Sequence, residues 1–217
     1  MASSEAFPIL IFNDMESVCK CVYVVCEGKS EKAYLQELNK ILSERGITLS
    51  FVIETAGNGH FRHLKATWMR LCKRARKSAC KDDFCFWADW DLFHRNYKKC
   101  LDLYNKEKEK LPSFFFNYHN FEDFISLQLS EDKSLSWCIT CNGKGHFREP
   151  LYSEEYESLF ISLVPGYKKG KLPIELDVVE GVKRLKERAG DKRFLQKSEF
   201  ADFLLKELEP FWSEFSR

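Results

Sequence analysis

The sequence predicts an α/β fold: a four-stranded, mostly parallel sheet covered by helices, with a helical extension at its C-terminal end. Three observations carry that expectation. Apolar runs of strand length alternate with segments whose apolar residues recur at helical spacing, and this happens four times over residues 20–130. The first run, Cys21 to Cys26 (CVYVVC), carries no charge, as expected of a strand buried on both faces. Beyond Glu131 the strand signal gives way to loops and helices, so residues 20–130 read as the core and 131–217 as an extension packed on it in a single structural unit.

The elements follow in order. Glu27-Gly28-Lys29-Ser30 ends the first strand, and Tyr34, Leu35, Leu38, Ile41 and Leu42 then share a helical stripe that Gly46 terminates. Ile47, Leu49, Phe51 and Ile53 alternate as a second strand, and Ala56-Gly57-Asn58-Gly59 is loop chemistry. Phe61, Leu64, Trp68, Leu71 and Ala75 mark a second helix. Phe84 to Ala88 is a third strand, Tyr97 to Lys110 a helix, Ser113 to Phe116 a fourth strand, and Phe121, Phe124, Ile125 and Leu129 a helix after it. In the extension, Glu154 to Leu163, Ile174 to Ala189 and Ser198 to Phe215 read as helices, with Pro165, Gly166, Gly170 and Pro173 between them.

The 217 residues suffice to bury a substantial interior, and 44% hydrophobic with 31% charged residues describes a folded chain. A net charge of +1 excludes a general polycation, so any nucleic-acid surface must be a local patch. The cysteine count is odd, at nine. The short apolar run Ala6 to Phe12 has no basic segment before it and is followed by Asp14 and Glu16, unlike a secretory leader. The expectation is a cytoplasmic protein with reduced, mostly buried thiols. No apolar run approaches the roughly 18 residues of a membrane span.

Glu27 falls at the carboxyl end of the first strand, and Asp89 and Asp91 at that of the third. Ligands of open α/β sheets bind outside the carboxyl ends of the strands, where the strand order reverses. In the common order 2-1-3-4, strands one and three flank that reversal and the three carboxylates converge. Such a cluster repels itself unless cations neutralise it, and all-oxygen ligands suit Mg²⁺ or Mn²⁺. The two aspartates, two apart in extended backbone, point the same way. A bound ion there would orient a water, lower its pKa and stabilise charge on phosphate oxygens. Glu122, just past the fourth strand, is placed to serve a second ion. The competing reading is that each acid is a helix cap or a solvated loop residue.

Other signals are weaker. Gly28-Lys29-Ser30 resembles the tail of a phosphate-binding loop, but Tyr23 stands where that motif needs glycine. Cys138-x-x-Cys141 with His146 nearby hints at zinc, but a second ligand pair at suitable spacing is lacking; for Cys19-x-Cys21, at the start of the first strand, buried thiols are the simpler account. Between Phe61 and Lys81 the chain carries Arg62, Lys65, Arg70, Lys73, Arg74, Arg76, Lys77 and Lys81 and no acid, which predicts a positive helix face. Arg70, Lys73, Arg74, Arg76 and Lys77 are the nucleic-acid-binding candidates; a solvated face or an acidic partner protein is the alternative. Lys168, Lys169 and Lys171 form a second basic cluster, from which a lysine near the metals would steady a phosphate. His94 and His119 lie near the proposed site edge as proton carriers or surface donors.

Taken together these motifs resemble the RloB-like family. Val24 to Tyr34 (VVCEGKSEKAY) is similar to its EGxxTExxYF opening, with Ser30 for Thr and Leu35 for Phe. Phe86 to Asp91 (FWADWD) resembles its Asp-x-Asp strand end, and Phe121 to Leu129 (FEDFISLQL) its FExWxLLH segment, with Phe124 for Trp, Ser126 for Leu and Gln128 for His. Tyr167-Lys168-Lys169 is similar to its late YKK element. The four elements are collinear from about Val22 to Lys169. The resemblance implies a Toprim-like Rossmannoid core and an effector of bacterial antiphage defence and abortive infection. That effector would be a Mg²⁺-dependent nuclease cleaving DNA or RNA, tRNA included, under a partner AAA- or ABC-type (OLD-like) ATPase. It further implies Glu27 as general acid/base or metal ligand, Asp89 and Asp91 as the metal pair, and Glu31 and Glu122 as further acids. Ser30 and Lys168 fall at family positions without an assigned chemistry; Lys168 and Glu31 join Glu27 as catalytic candidates. The alternative is a non-catalytic subunit of an ATPase-based complex. A homodimer is left open.

Overall fold

A computed structural model describes residues 19–75, 83–90, 97–148 and 153–217. Strands and helices alternate as β1 (Lys20–Cys26), α1 (Lys29–Glu44), β2 (Leu49–Thr55), α2 (Phe61–Arg74), β3 (Phe84–Asp89), α3 (Tyr97–Glu107), β4 (Ser113–Asn117) and α4 (Phe121–Ser126). The four strands form one parallel sheet in the order β2-β1-β3-β4. Cys26 pairs with Thr55 on one side and Trp87 on the other, and Asp89 pairs with Asn117. The carboxyl ends of all four strands therefore open on one edge.

The period-2 alternation of side chains divides the interior in two. On one face Val22, Val24 and Cys26 of β1 and Cys85 and Trp87 of β3 pack with Tyr34, Leu35, Leu38 and Leu42 of α1. On the other, Val25, Phe84, Phe86 and Ala88 pack with Phe61, Leu64 and Leu71 of α2 and with Cys100 of α3. Because both faces are covered, β1 and β3 need no polar alternation.

The extension comprises α5 (Glu131–Gly143), α6 (Ser153–Leu163), α7 (Val178–Arg188), α8 (Glu199–Leu208) and the short α9 (Trp212–Phe215). It completes the first face: Trp137, Phe160, Phe200 and Phe215 belong to the same buried cluster as β1 and α1. Phe200 stacks on Trp87 at a centroid separation of 3.7 Å, and Phe203 on Phe115 at 4.4 Å. Burying one such phenylalanine contributes about 1.5–3 kcal/mol. Arg184 and Arg188 of α7 donate to the Gln128 and Leu127 carbonyls, satisfying the last turn of α4.

The helix expected over Tyr97 to Lys110 ends at Glu107 and finishes as a 3-10 turn, and three helices of the extension also differ from the sequence expectation. The helix expected from Ile174 starts at Val178, because Asp177 caps it by accepting from the Glu180 amide at 3.1 Å; Ile174 is exposed. The helix expected from Ser198 to Phe215 breaks at a 3-10 turn, Glu209–Phe211, where Pro210 lacks an amide proton. Helix α5 has no aliphatic stripe to announce it: its buried positions are Ser134, Trp137, Cys138 and Cys141. Buried cysteines are common throughout, with Cys26, Cys85 and Cys100 in the sheet core as well. Among the described residues no helix is long and apolar enough to cross a membrane.

Candidate active site

The site sits at the carboxyl edge of β1 and β3, where the direction of strand order reverses. Glu27 is the first residue past β1, held by its amide to the Trp87 carbonyl at 3.1 Å. Its Oε2 accepts from the backbone amide of Asp89 at 3.1 Å, so the two strand ends are joined through this carboxylate. Gly59, in the β2–α2 loop, lies directly against it. A Cβ there would stand 2.3 Å from Glu27 Oε2, so only glycine leaves the carboxylate room.

Asp89 is buried, and its Oδ1 accepts from Asn117 Nδ2 at 2.9 Å. Asn117 is oriented in turn by two donors to its Oδ1, Trp87 Nε1 at 3.2 Å and Ser198 Oγ at 2.7 Å. Ser198 comes from the extension, which thus reaches the strand ends through a bridge to β4.

Behind this pair stand two fully buried glutamates. Glu31, in the first turn of α1, accepts from the Gly28 amide at 3.1 Å. Burial first, and then the neighbouring Glu27 and Glu122 charges, push its carboxyl from the ordinary 4.5 up to about 8. Glu122, in the first turn of α4, is also pushed up by burial; a 2.7 Å hydrogen bond from the Tyr167 hydroxyl and the charge of Lys169 oppose the shift. The turn between α6 and α7 closes the site: the Gly170 amide donates to Ser30 Oγ at 2.9 Å. The result is a cleft of about 460 Å³ lined by Glu27, Glu31, Asp89, Glu122, Lys169 and Asn58 among others.

The structure brings together four of the acids singled out from sequence, Glu27, Glu31, Asp89 and Glu122. Asp91 lies outside the described residues, as do Arg76, Lys77 and His94. Glu27 and Asp89, on adjoining strand ends, fit as two oxygen ligands of a hard divalent cation. Among the described residues, a closer set of ligand atoms is that of His119, Asp123 and His146, all within 4.8 Å of one another. Lys168 is exposed, and it is Lys169 that lines the cleft, 5.7 Å above the Tyr156 ring. Gln128 is buried and accepts from the Tyr34 hydroxyl at 2.8 Å, a packing contact inside the core.

The basic helix is less bare of acids than its sequence. Lys65 pairs with Glu107 of α3 and Arg74 with Glu54 of β2, so other elements neutralise part of the charge. Arg62, Arg70 and Lys73 are exposed, with Arg70 Nη2 also donating to Thr67 Oγ1 at 2.9 Å.

Sequence reasoning missed Gly59, Asn117 and Tyr167 as parts of the site, and within the lysine cluster it chose Lys168 where Lys169 lines the cleft. Tyr167 and Lys169 sat inside a recognised motif, but nothing local said that they face Glu122. Asn117 ends a phenylalanine run, a faint sign of a polar atom wanted at a strand end.

Fold and cleft define a class: a doubly covered parallel α/β sheet with a cluster of carboxylates at its switch point. No protein-family model matches the chain, and no curated protein or solved structure matches it.

Proposed function

We propose that this chain is a Toprim-type, RloB-like metal-dependent phosphodiesterase acting on DNA or RNA. The observation that carries the reading is the meeting of Glu27 and Asp89 across β1 and β3 in a cleft that also holds buried Glu31 and Glu122. A cluster of carboxylates in which burial and mutual repulsion keep one protonated up to about 8 is poorly satisfied by itself, and a divalent cation relieves it.

When bound, Mg²⁺ or Mn²⁺ supplies Lewis acidity toward phosphate oxygens and lowers the pKa of a coordinated water. The chain's own residues do the rest. Glu27 and Asp89 hold the cation, with Asp91 a third candidate. Asn117 fixes the Asp89 rotamer, and Gly59 leaves space for Glu27. Lys169 lies at the cleft wall, where its charge opposes that of a phosphate diester. Glu31, neutral at physiological pH, is suited to passing a proton rather than to ligation. On the same resemblance, the activity serves antiphage defence and is governed by a partner ATPase; the cysteines, read as reduced thiols, favour the cytoplasm.

The test is incubation of purified protein with mixed DNA, RNA and tRNA in Mg²⁺ or Mn²⁺, beside Asp89→Asn. Cleavage should need the metal and fall to background in the variant; cleavage that survives either change overturns the assignment.

A further inference from the structure

Adjacent residues of α4 face different ways. Glu122 turns to Tyr167 and the cleft, whereas Asp123 turns to the extension. Around Asp123 lie two histidines from separate elements: His119, from the turn between β4 and α4, and His146, from the turn after α5. Asp123 Oδ2 is 3.1 Å from His146 Nε2 and 3.7 Å from His119 Nδ1. The three ligand atoms all lie within 4.8 Å of one another. Ligands about 2.0–2.1 Å from a tetrahedral zinc stand roughly 3.3 Å apart, close to the two shorter separations.

The surrounding hydrogen bonds hold these side chains in place. Asp123 Oδ1 is taken by Trp137 Nε1 at 2.7 Å, which leaves Oδ2 toward the histidines. Asn120 Oδ1 accepts from the Asp123 amide at 3.0 Å, and this fixes its amide group so that Nδ2 faces His146 Nε2 at 3.3 Å. In the metal-free protein His146 Nε2 stands within hydrogen-bond reach of Asp123 Oδ2, at 3.1 Å, and an ion entering between them would take the place of the shared proton. Asp123 and His146 are fully buried, and the His119 side chain, 12% exposed, gives the ion a path to water.

We propose that His119, Asp123 and His146 form a transition-metal site, distinct from the acidic cleft, that takes Zn²⁺ or a related first-row divalent ion. Two imidazole nitrogens and one carboxylate oxygen are a borderline donor set that suits zinc and disfavours Mg²⁺. The site pins the turn after α5 to the turn and helix that follow β4, and so joins the extension to the strand edge carrying Asn117 and Glu122. With three protein ligands, the fourth position belongs to water. The zinc hint in the sequence thus involves His146 but not the Cys138–Cys141 pair.

The experiment is calorimetric titration of chelator-stripped protein with Zn²⁺ in the presence of excess Mg²⁺, repeated with Co²⁺ to read ligand-field absorption. Wild type and Asp89→Asn should each take up about one equivalent. His119→Ala, at the rim of the site, should keep the metal-free melting temperature while weakening Zn²⁺ binding at least about tenfold and losing the Co²⁺ bands. Absence of saturable Zn²⁺ uptake by wild type overturns the proposal, as does uptake that His119→Ala retains and Asp89→Asn loses.

Discussion

The acidic cleft and the basic helix α2 were both conspicuous as charge in the sequence, and the fold treats them in opposite ways. Acids separated by as many as 95 residues, Glu27 and Glu122, are drawn to one cleft, and two of the four are buried so deeply that their carboxyls rise. The cations of α2, neighbours in the chain, stay spread over an exposed face, and Lys65 and Arg74 are neutralised by acids from other elements. Like charge that folding gathers and buries in one cleft is the pattern of a candidate cation site; charge that folding dilutes with opposite sign is mostly a solvated surface.

The sharpest way to break that contrast is at Gly59. In Gly59→Ala the added methyl displaces the Glu27 carboxylate from the Asp89 amide, since an approach of 2.3 Å is impossible. Cleavage should drop about 100-fold, the scale expected of a misplacement of about 1 Å, with melting temperature nearly unchanged. Retained activity would mean that Glu27 need not sit where it does.

The buried charge itself makes the next prediction. Glu31 ionises near 4.5 when unfolded but stays protonated up to about 8 when folded, so the folded state binds the extra proton across that window. Stability of the metal-free protein should therefore fall as pH rises from about 5 to about 8, and level off above it. Glu31→Gln keeps an acceptor for the Gly28 amide and should flatten the fall by several degrees in melting temperature. Added Mg²⁺ should protect wild type more at pH 8 than at pH 5. A melting profile in which Glu31→Gln tracks wild type would show that the acid is not under strain.

The smallest effect belongs to α2. Removing both Arg70 and Lys73 should lower nucleic-acid affinity and reduce the log–log salt slope by about 1–2, with the rate of bound substrate unchanged. An unaltered slope would assign that face to solvent.

The sheet strands and their order of appearance were legible because a strand buried on both faces announces itself locally, as in Cys21 to Cys26 and Phe84 to Ala88. Asp89 and Glu27 were legible as candidates for the strand-end cleft for the same reason: they end such runs. Helix α5 was not, since Trp137, Cys138 and Cys141 bury a face without aliphatic periodicity.

By itself, then, the sequence determined the strands, most of the helices and which acids end the strands, because hydrophobic period and chain-breaking residues act within a few positions. Only the tertiary structure decided that Tyr167 serves Glu122, that Glu54 answers Arg74, that Gly59 makes room for Glu27, and that His146 meets Asp123 rather than a cysteine pair. Those are matters of distance and burial across the fold. Electrostatic energy and desolvation depend on where groups stand in space, and spacing along the chain carries almost none of that information.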